Sequence, residues 1–179
     1  MQRDAFEKLA LEHLDGVHRM AVHLAQNEAE AADLVQETYL KAIRAADGFE
    51  ERGGGMRPWL FRILQNVFFS SRKAAALRKG APLLDDPPSS DPEVSPAWDL
   101  ATLDWEQVDD RLKHAIEDLR PDYRMVLLLW AVEGLRYRDI AEVMEVPIGT
   151  VMRRIHQART ILIAQLAEWS EEHRLPGRS

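Results

Sequence analysis

Apolar residues recur at steps of three and four along most of this 179-residue chain, a period that predicts helices. Phe6, Leu9, Ala10, Leu14 and Val17 begin one stripe, which Met20, Ala21 and Leu24 continue. Asn27 opens a second element, where Glu28 and Glu30 suit the positive end of a helix dipole. Ala31, Leu34, Val35, Thr38, Leu40, Ala42 and Ile43 run along it as far as Gly48. Beyond the Gly53–Gly55 loop, Pro58 fits the first turn of a third helix carrying Trp59, Leu60, Ile63, Leu64, Val67 and Phe68. In the second half, Leu112, Ala115, Ile116 and Leu119 predict a helix that stops before Pro121. Another opens at Pro121 or Asp122, contains Met125–Val132 and closes at Gly134. No alternating pattern of useful length predicts a strand, and no internal repeat is found.

Tyr137–Leu166 is the most informative stretch. Ile140, Ala141 and Met144 mark a short helix, Val146 and Pro147 a turn, and Val151, Ile155, Ala158 and Leu162 a longer helix. Short helix, tight turn and longer helix make the helix-turn-helix pattern. With Val151 and Ile155 inward, Met152, Arg153, His156 and Gln157 project from the first turns, the part of such a helix that enters the major groove. Arginine pairs bidentately with guanine, glutamine with adenine, and methionine meets a thymine methyl. Arg154 and Arg159 lie laterally and suit phosphates. The alternative is an arginine-bearing solvent face on a packing helix. Glu145 stands where the first helix should end in a left-handed residue, at a cost of roughly 1 kcal/mol against glycine.

Proline places the joint. Pro82, Pro87, Pro88, Pro92 and Pro96 fall within one short stretch together with Ser89, Ser90 and Ser95, which forbids a helix. The expected fold is therefore all-α: two small helical domains, 1–80 and 108–175, joined by an acidic, proline-rich linker, 81–107. Trp98 and Trp105 at its end either cover the second domain's core or anchor the linker to a partner.

Charge sharpens this division. The total is −7, yet Arg52–Leu84 holds seven bases and no acid, while Gly80–Asp110 holds nine acids and no base. Val146–Ala167 again has three arginines and no acid. Phosphate backbones are bound by local positive faces whatever the total. A chain without cysteine excludes disulfides, thiolate zinc sites, iron–sulfur clusters and thiol redox sensing. The longest run free of charged residues is Ile63–Ser71, far short of the roughly 20 apolar residues of a membrane span. With a charged opening in place of a signal peptide, the expectation is a soluble cytoplasmic protein.

Catalytic patterns are missing. Gly53–Gly55 is followed by Met-Arg-Pro and not by a phosphate-loop Gly-Lys-Ser, and no HExxH or GxSxG occurs. His13, His18 and His23 stand five apart, about 140° around a helix, and do not converge on a metal. Nothing supports an enzyme, and no cofactor is implied. Trp59, Phe61, Phe68 and Phe69 have the spacing of core residues more than of a stacking platform.

Three segments carry a family resemblance: DLVQETYLKAIR (Asp33–Arg44), RPWLFRILQNVFFSSRK (Arg57–Lys73) and EGLRYRDIAEVMEVPIGTVMRRIHQAR (Glu133–Arg159). In this order, across an acidic linker, they resemble regions 2 and 4 of the ECF group of bacterial RNA polymerase sigma factors. The resemblance implies that Asp33, Gln36, Glu37 and Lys41 dock on the β′ clamp helices of core polymerase. It implies that region 2 engages the opened −10 strand, with Arg57, Arg62, Asn66, Arg72 and Lys73 as its candidates and the Asp47–Met56 loop forming part of a base pocket. Region 4, seated at the β flap, would read the −35 element through Thr150, Met152, Arg153, Arg154, His156, Gln157 and Arg159. The linker would thread the channel later occupied by RNA, and an anti-sigma factor would restrain the whole. Relatives often carry Lys or Arg then Ser where this chain has Met152 and Arg153, so the promoter motif does not transfer. The Gly53–Gly55 loop likewise differs from the common Ser/Thr-containing one, while PIGTVM and the Phe-Ser-Ser-Arg-Lys run are closest to members governed by zinc-binding, redox-sensing anti-sigma proteins. Two rivals differ in kind: a sigma-like decoy that binds an anti-sigma factor but no DNA, and an ordinary helix-turn-helix regulator with an N-terminal sensor domain.

Overall fold

The computed structural model describes residues 3–25, 27–49, 55–80 and 110–172. These form α1 (Arg3–Leu11), α2 (Leu14–Leu24), α3 (Glu28–Arg44), a 3₁₀ turn (Ala46–Gly48), α4 (Met56–Arg78), α5 (Asp110–Glu117), α6 (Pro121–Ala131), α7 (Tyr137–Met144) and α8 (Ile148–Glu172). Among the described residues there is no strand. The proposed linker, with its prolines, its acids, Trp98 and Trp105, lies outside the described residues.

Local chemistry explains most helix ends. The Asn27 side chain accepts the Glu30 backbone N–H at 2.9 Å and caps α3. Pro58 sits buried in the first turn of α4, and Pro121 is at the start of α6, where its missing N–H costs nothing. Glu145 ends α7 in the left-handed conformation, φ 54° and ψ 42°, as its position predicts. The first stripe is corrected in one respect. It breaks at Glu12–His13 into two helices, which keeps Phe6, Ala10, Val17, Met20, Ala21 and Leu24 in the core and leaves Leu11 and Leu14 exposed.

In the first half, α4 is the central helix and packs on α3, α2 and α1. In the second, α6 is central: every residue from Tyr123 to Leu129 is buried, as expected for a helix enclosed by neighbours. Arg124 belongs to that run. Its Nη1 donates to the Glu117 carbonyl at 2.9 Å, and burial pushes its pKa down from the ordinary arginine value.

The halves do not stand apart. Helix α4 lies against α7 and α2 against α6, so one apolar core runs through both. Phe61 and Phe68 are buried in it, while Trp59 packs edge-on to Phe6 at 5.7 Å and to Phe49 at 5.1 Å. These aromatics are core residues, and the idea of a stacking platform built from them falls away.

Candidate nucleic-acid interface

Helices α7 and α8 cross around Ile140, Val143, Val151, Ile155 and Ala158, all of them buried. The turn between them is tied by the Val146 N–H donating to the Ala141 carbonyl at 3.1 Å, and α8 starts with the Thr150 N–H donating to the Pro147 carbonyl at 2.9 Å. At the front of α7, Arg136 grips Asp139 through two hydrogen bonds, at 2.9 and 3.2 Å, which holds the Asp139 carboxyl below the usual carboxylate range. This fixed pair of helices leaves Met152 47% exposed, with Thr150, Arg153, His156 and Gln157 half-exposed beside it.

The two lateral arginines part company. The Arg159 guanidinium lies 5.8 Å from the centre of the Trp130 ring and remains half-exposed. Arg154 turns inward: its side chain is only 13% exposed, and its Nε stands 3.8 Å from Asp122 Oδ2, which Arg120 also grips at 3.1 Å. It is placed to brace α8 against the start of α6, which corrects its expected place on the outer face. Periodicity assigned Arg154 to the side of the helix; the carboxylate that draws it in is 32 residues away in the chain and invisible to periodicity.

On α4 the predicted bases also separate. Arg62, Asn66 and Lys73 are exposed and fall within about 40° of one another at 100° per residue. Asn66 Oδ1 accepts a hydrogen bond from the buried Gln65 amide at 2.9 Å, which fixes its orientation. Arg72 lies over the Phe68 ring at 5.1 Å. Arg57 occupies the opposite side of the helix and faces the second half of the molecule. Half of the base-pocket loop, residues 50–54, lies outside the described residues.

On α3, Asp33, Gln36 and Lys41 are exposed and Glu37 is half-exposed, with Lys41 Nζ 3.6 Å from Glu37 Oε1. Leu40, grouped by periodicity with the core, is instead 41% exposed in the middle of this charged face. Thr38 takes the buried place and donates its hydroxyl to the Leu34 carbonyl at 2.6 Å.

The group that periodicity missed altogether joins the halves. Glu133 follows α6 in a turn that Gly134 closes with φ 64°, and its side chain is fully buried. Arg19 of α2 donates to Oε1 at 2.9 Å, and Arg57 of α4 donates to Oε2 at 2.5 Å and to the Glu133 carbonyl at 2.7 Å. Gly16 makes the approach feasible, because a Cβ there would stand 3.3 Å from Glu133 Oε2. Beside this joint, burial and then Arg19 push the His23 pKa below 6.5, against smaller opposing effects of Glu133 and Glu117. Among the described residues no group of three metal-ligating side chains occurs, and no helix is long and apolar enough to cross a membrane.

Comparison with known proteins gives these surfaces a family. Residues 9–78 match sigma-70 region 2, and residues 109–162 match sigma-70 region 4. The ECF RNA polymerase sigma factor SigE of Mycolicibacterium smegmatis is 32% identical over 171 residues, covering 94% of this chain and 64% of its own length. The ECF RNA polymerase sigma factor EcfG of Rhodopseudomonas palustris is 31% identical, covering 91% of this chain and 86% of its own. The sigma factor RpoE of Bartonella quintana, solved in complex with the anti-sigma factor NepR, superposes with a TM-score of 0.69 at 28% identity, over 91% of this chain and 97% of that one. Two regions of one family, matched in order, with relatives of that name along most of the length, leave a single assignment: the chain belongs to the ECF group of RNA polymerase sigma factors.

Proposed function

We propose that this sigma factor binds core RNA polymerase and directs it to promoters through two surfaces of different chemistry. The charged face of α3, with Asp33, Gln36, Glu37 and Lys41 around the exposed Leu40, docks on the polymerase. The basic line of Arg62, Asn66 and Lys73 on α4, with Arg72 beside it, tracks the opened −10 strand, since phosphate contact on an acid-free surface is what single-strand capture requires. Thr150, Met152, Arg153, His156 and Gln157 read the −35 duplex, with Arg159 at its backbone. Arg154 acts at one remove, by holding α8 in place. An anti-sigma factor restrains the protein, a reading supported by the structural likeness to RpoE, whose structure was solved with NepR bound.

One observation supports the proposal: Met152, Arg153, His156 and Gln157 stay at least partly exposed on α8, while Arg62, Asn66 and Lys73 line one exposed side of α4. A decoy needs neither face. An ordinary regulator has no use for the second or for the polymerase-facing side of α3. Transcription in vitro from genomic fragments, with core polymerase plus or minus this protein, tests the proposal. Protein-dependent transcripts from discrete start sites are expected. Operator binding without any effect on polymerase would overturn it in favour of the regulator.

A further inference from the structure

Glu133 is fully buried between two guanidiniums that belong to the other half of the molecule. Each of its oxygens is taken by a different arginine, Oε1 by Arg19 and Oε2 by Arg57. Two converging guanidiniums on two oxygens of one anion is also how arginines recognise the non-bridging oxygens of a phosphodiester. The Arg19 and Arg57 side chains stay 47% and 38% exposed, so solvent reaches them even in the closed arrangement. Arg57 also lies in the acid-free stretch, on the same helix α4 as the strand-binding line.

We infer that Arg19 and Arg57 form a phosphate site of the first half, filled by the Glu133 carboxylate in the closed chain and by a backbone phosphate of single-stranded DNA when the halves part. This rests on the promoter-binding reading above. It adds a site with a residue that reading does not use, Arg19, and makes closure and strand binding mutually exclusive. Glu133 is then a competitor carried by the sigma factor itself. Gly16 lines its seat, because a Cβ there would stand 3.3 Å from Oε2, tight enough that the carboxylate would have to shift.

The chain has no cysteine, so dyes can be placed at will. Ala32→Cys on α3 and Ala164→Cys on α8, both exposed positions, report the separation of the halves by energy transfer. A fluorescein-labelled dodecathymidylate strand serves as the phosphate probe, with the full chain and no polymerase. Glu133→Gln is expected to lower energy transfer and to tighten the strand at least about threefold, and adding Arg19→Met should abolish that gain. Titrating the strand into the otherwise unaltered chain should lower energy transfer as it binds, a readout independent of any substitution in the joint. Gly16→Met, which keeps all three charged groups, should act in the direction of Glu133→Gln. Unchanged energy transfer in Glu133→Gln, opening without tightening, or tightening that survives Arg19→Met would each overturn the inference. Failure of the initiation reading shows separately, as missing transcripts with core polymerase.

Discussion

Asp122 and Glu133 are both carboxylates with two arginines close by, in two places that differ in kind. Asp122 is hydrogen-bonded by Arg120 and lies 3.8 Å from Arg154 Nε inside the second half, where the cluster braces α8 against the start of α6. Glu133 is gripped by Arg19 and Arg57 across the boundary and fixes one half to the other. The Glu133 cluster joins a turn of the second half to two helices of the first, so its contacts run across the boundary and not within either half. Carboxylate–arginine pairing thus braces one half in one place and joins the two halves in the other, and the difference lies in which elements supply the partners.

The largest effect should come from splitting the boundary triad on its exposed side. Arg57→Met leaves the buried Glu133 carboxylate with one partner, a loss on the order of 3 kcal/mol in the closed form. It should therefore open the chain more than Glu133→Gln does, as measured by energy transfer between the halves. Asp122→Asn should instead lower the urea stability of the second half by about 1–3 kcal/mol while leaving that energy transfer unchanged, because the penalty falls on Arg120 and Arg154 within one unit.

Neighbouring arginines on α8 sharpen the same contrast. Arg153→Ala should cost roughly 1–3 kcal/mol of promoter discrimination in competition binding with little change in melting temperature. Arg154→Ala should do the reverse, lowering the melting temperature while sequence preference is retained. Lys73→Ala should weaken all sequences alike and reduce the salt slope by about one. Smallest is the effect of pH. Burial and Arg19 hold the His23 pKa below 6.5, with Lys113 adding to Arg19 and with Glu133 and Glu117 opposing. The folded protein keeps a neutral imidazole that the unfolded chain would protonate, so stability is full above about pH 6.5 and falls as the pH drops below it. His23→Gln should flatten that slope in urea titrations between pH 7 and 5.

Short-range signals were legible without any structure. The Asn27 cap, Pro58 in the first turn, the left-handed Glu145 and the inward set of the helix-turn-helix each depend on residues within about one or two helical turns. Arg57 lay half within reach: angular spacing alone sets it opposite Arg62 and Lys73, though not what it faces. Leu40 left the expected inward stripe while Thr38 kept its place in it, because a side chain's depth is set by the neighbouring helices and not by its own hydrophobicity.

What the amino-acid order determined by itself was the helical segments, several of their ends, the family and the acid-free basic stretches, since these arise from backbone hydrogen bonding, caps and periodicity within single segments. Only the tertiary structure decided which cations remain exposed. That outcome depends on Glu133 meeting Arg19 and Arg57, groups 114 and 76 positions away from it in sequence. A carboxylate removed from water takes whichever guanidiniums the packing brings to it, and packing is a property of the assembled helices.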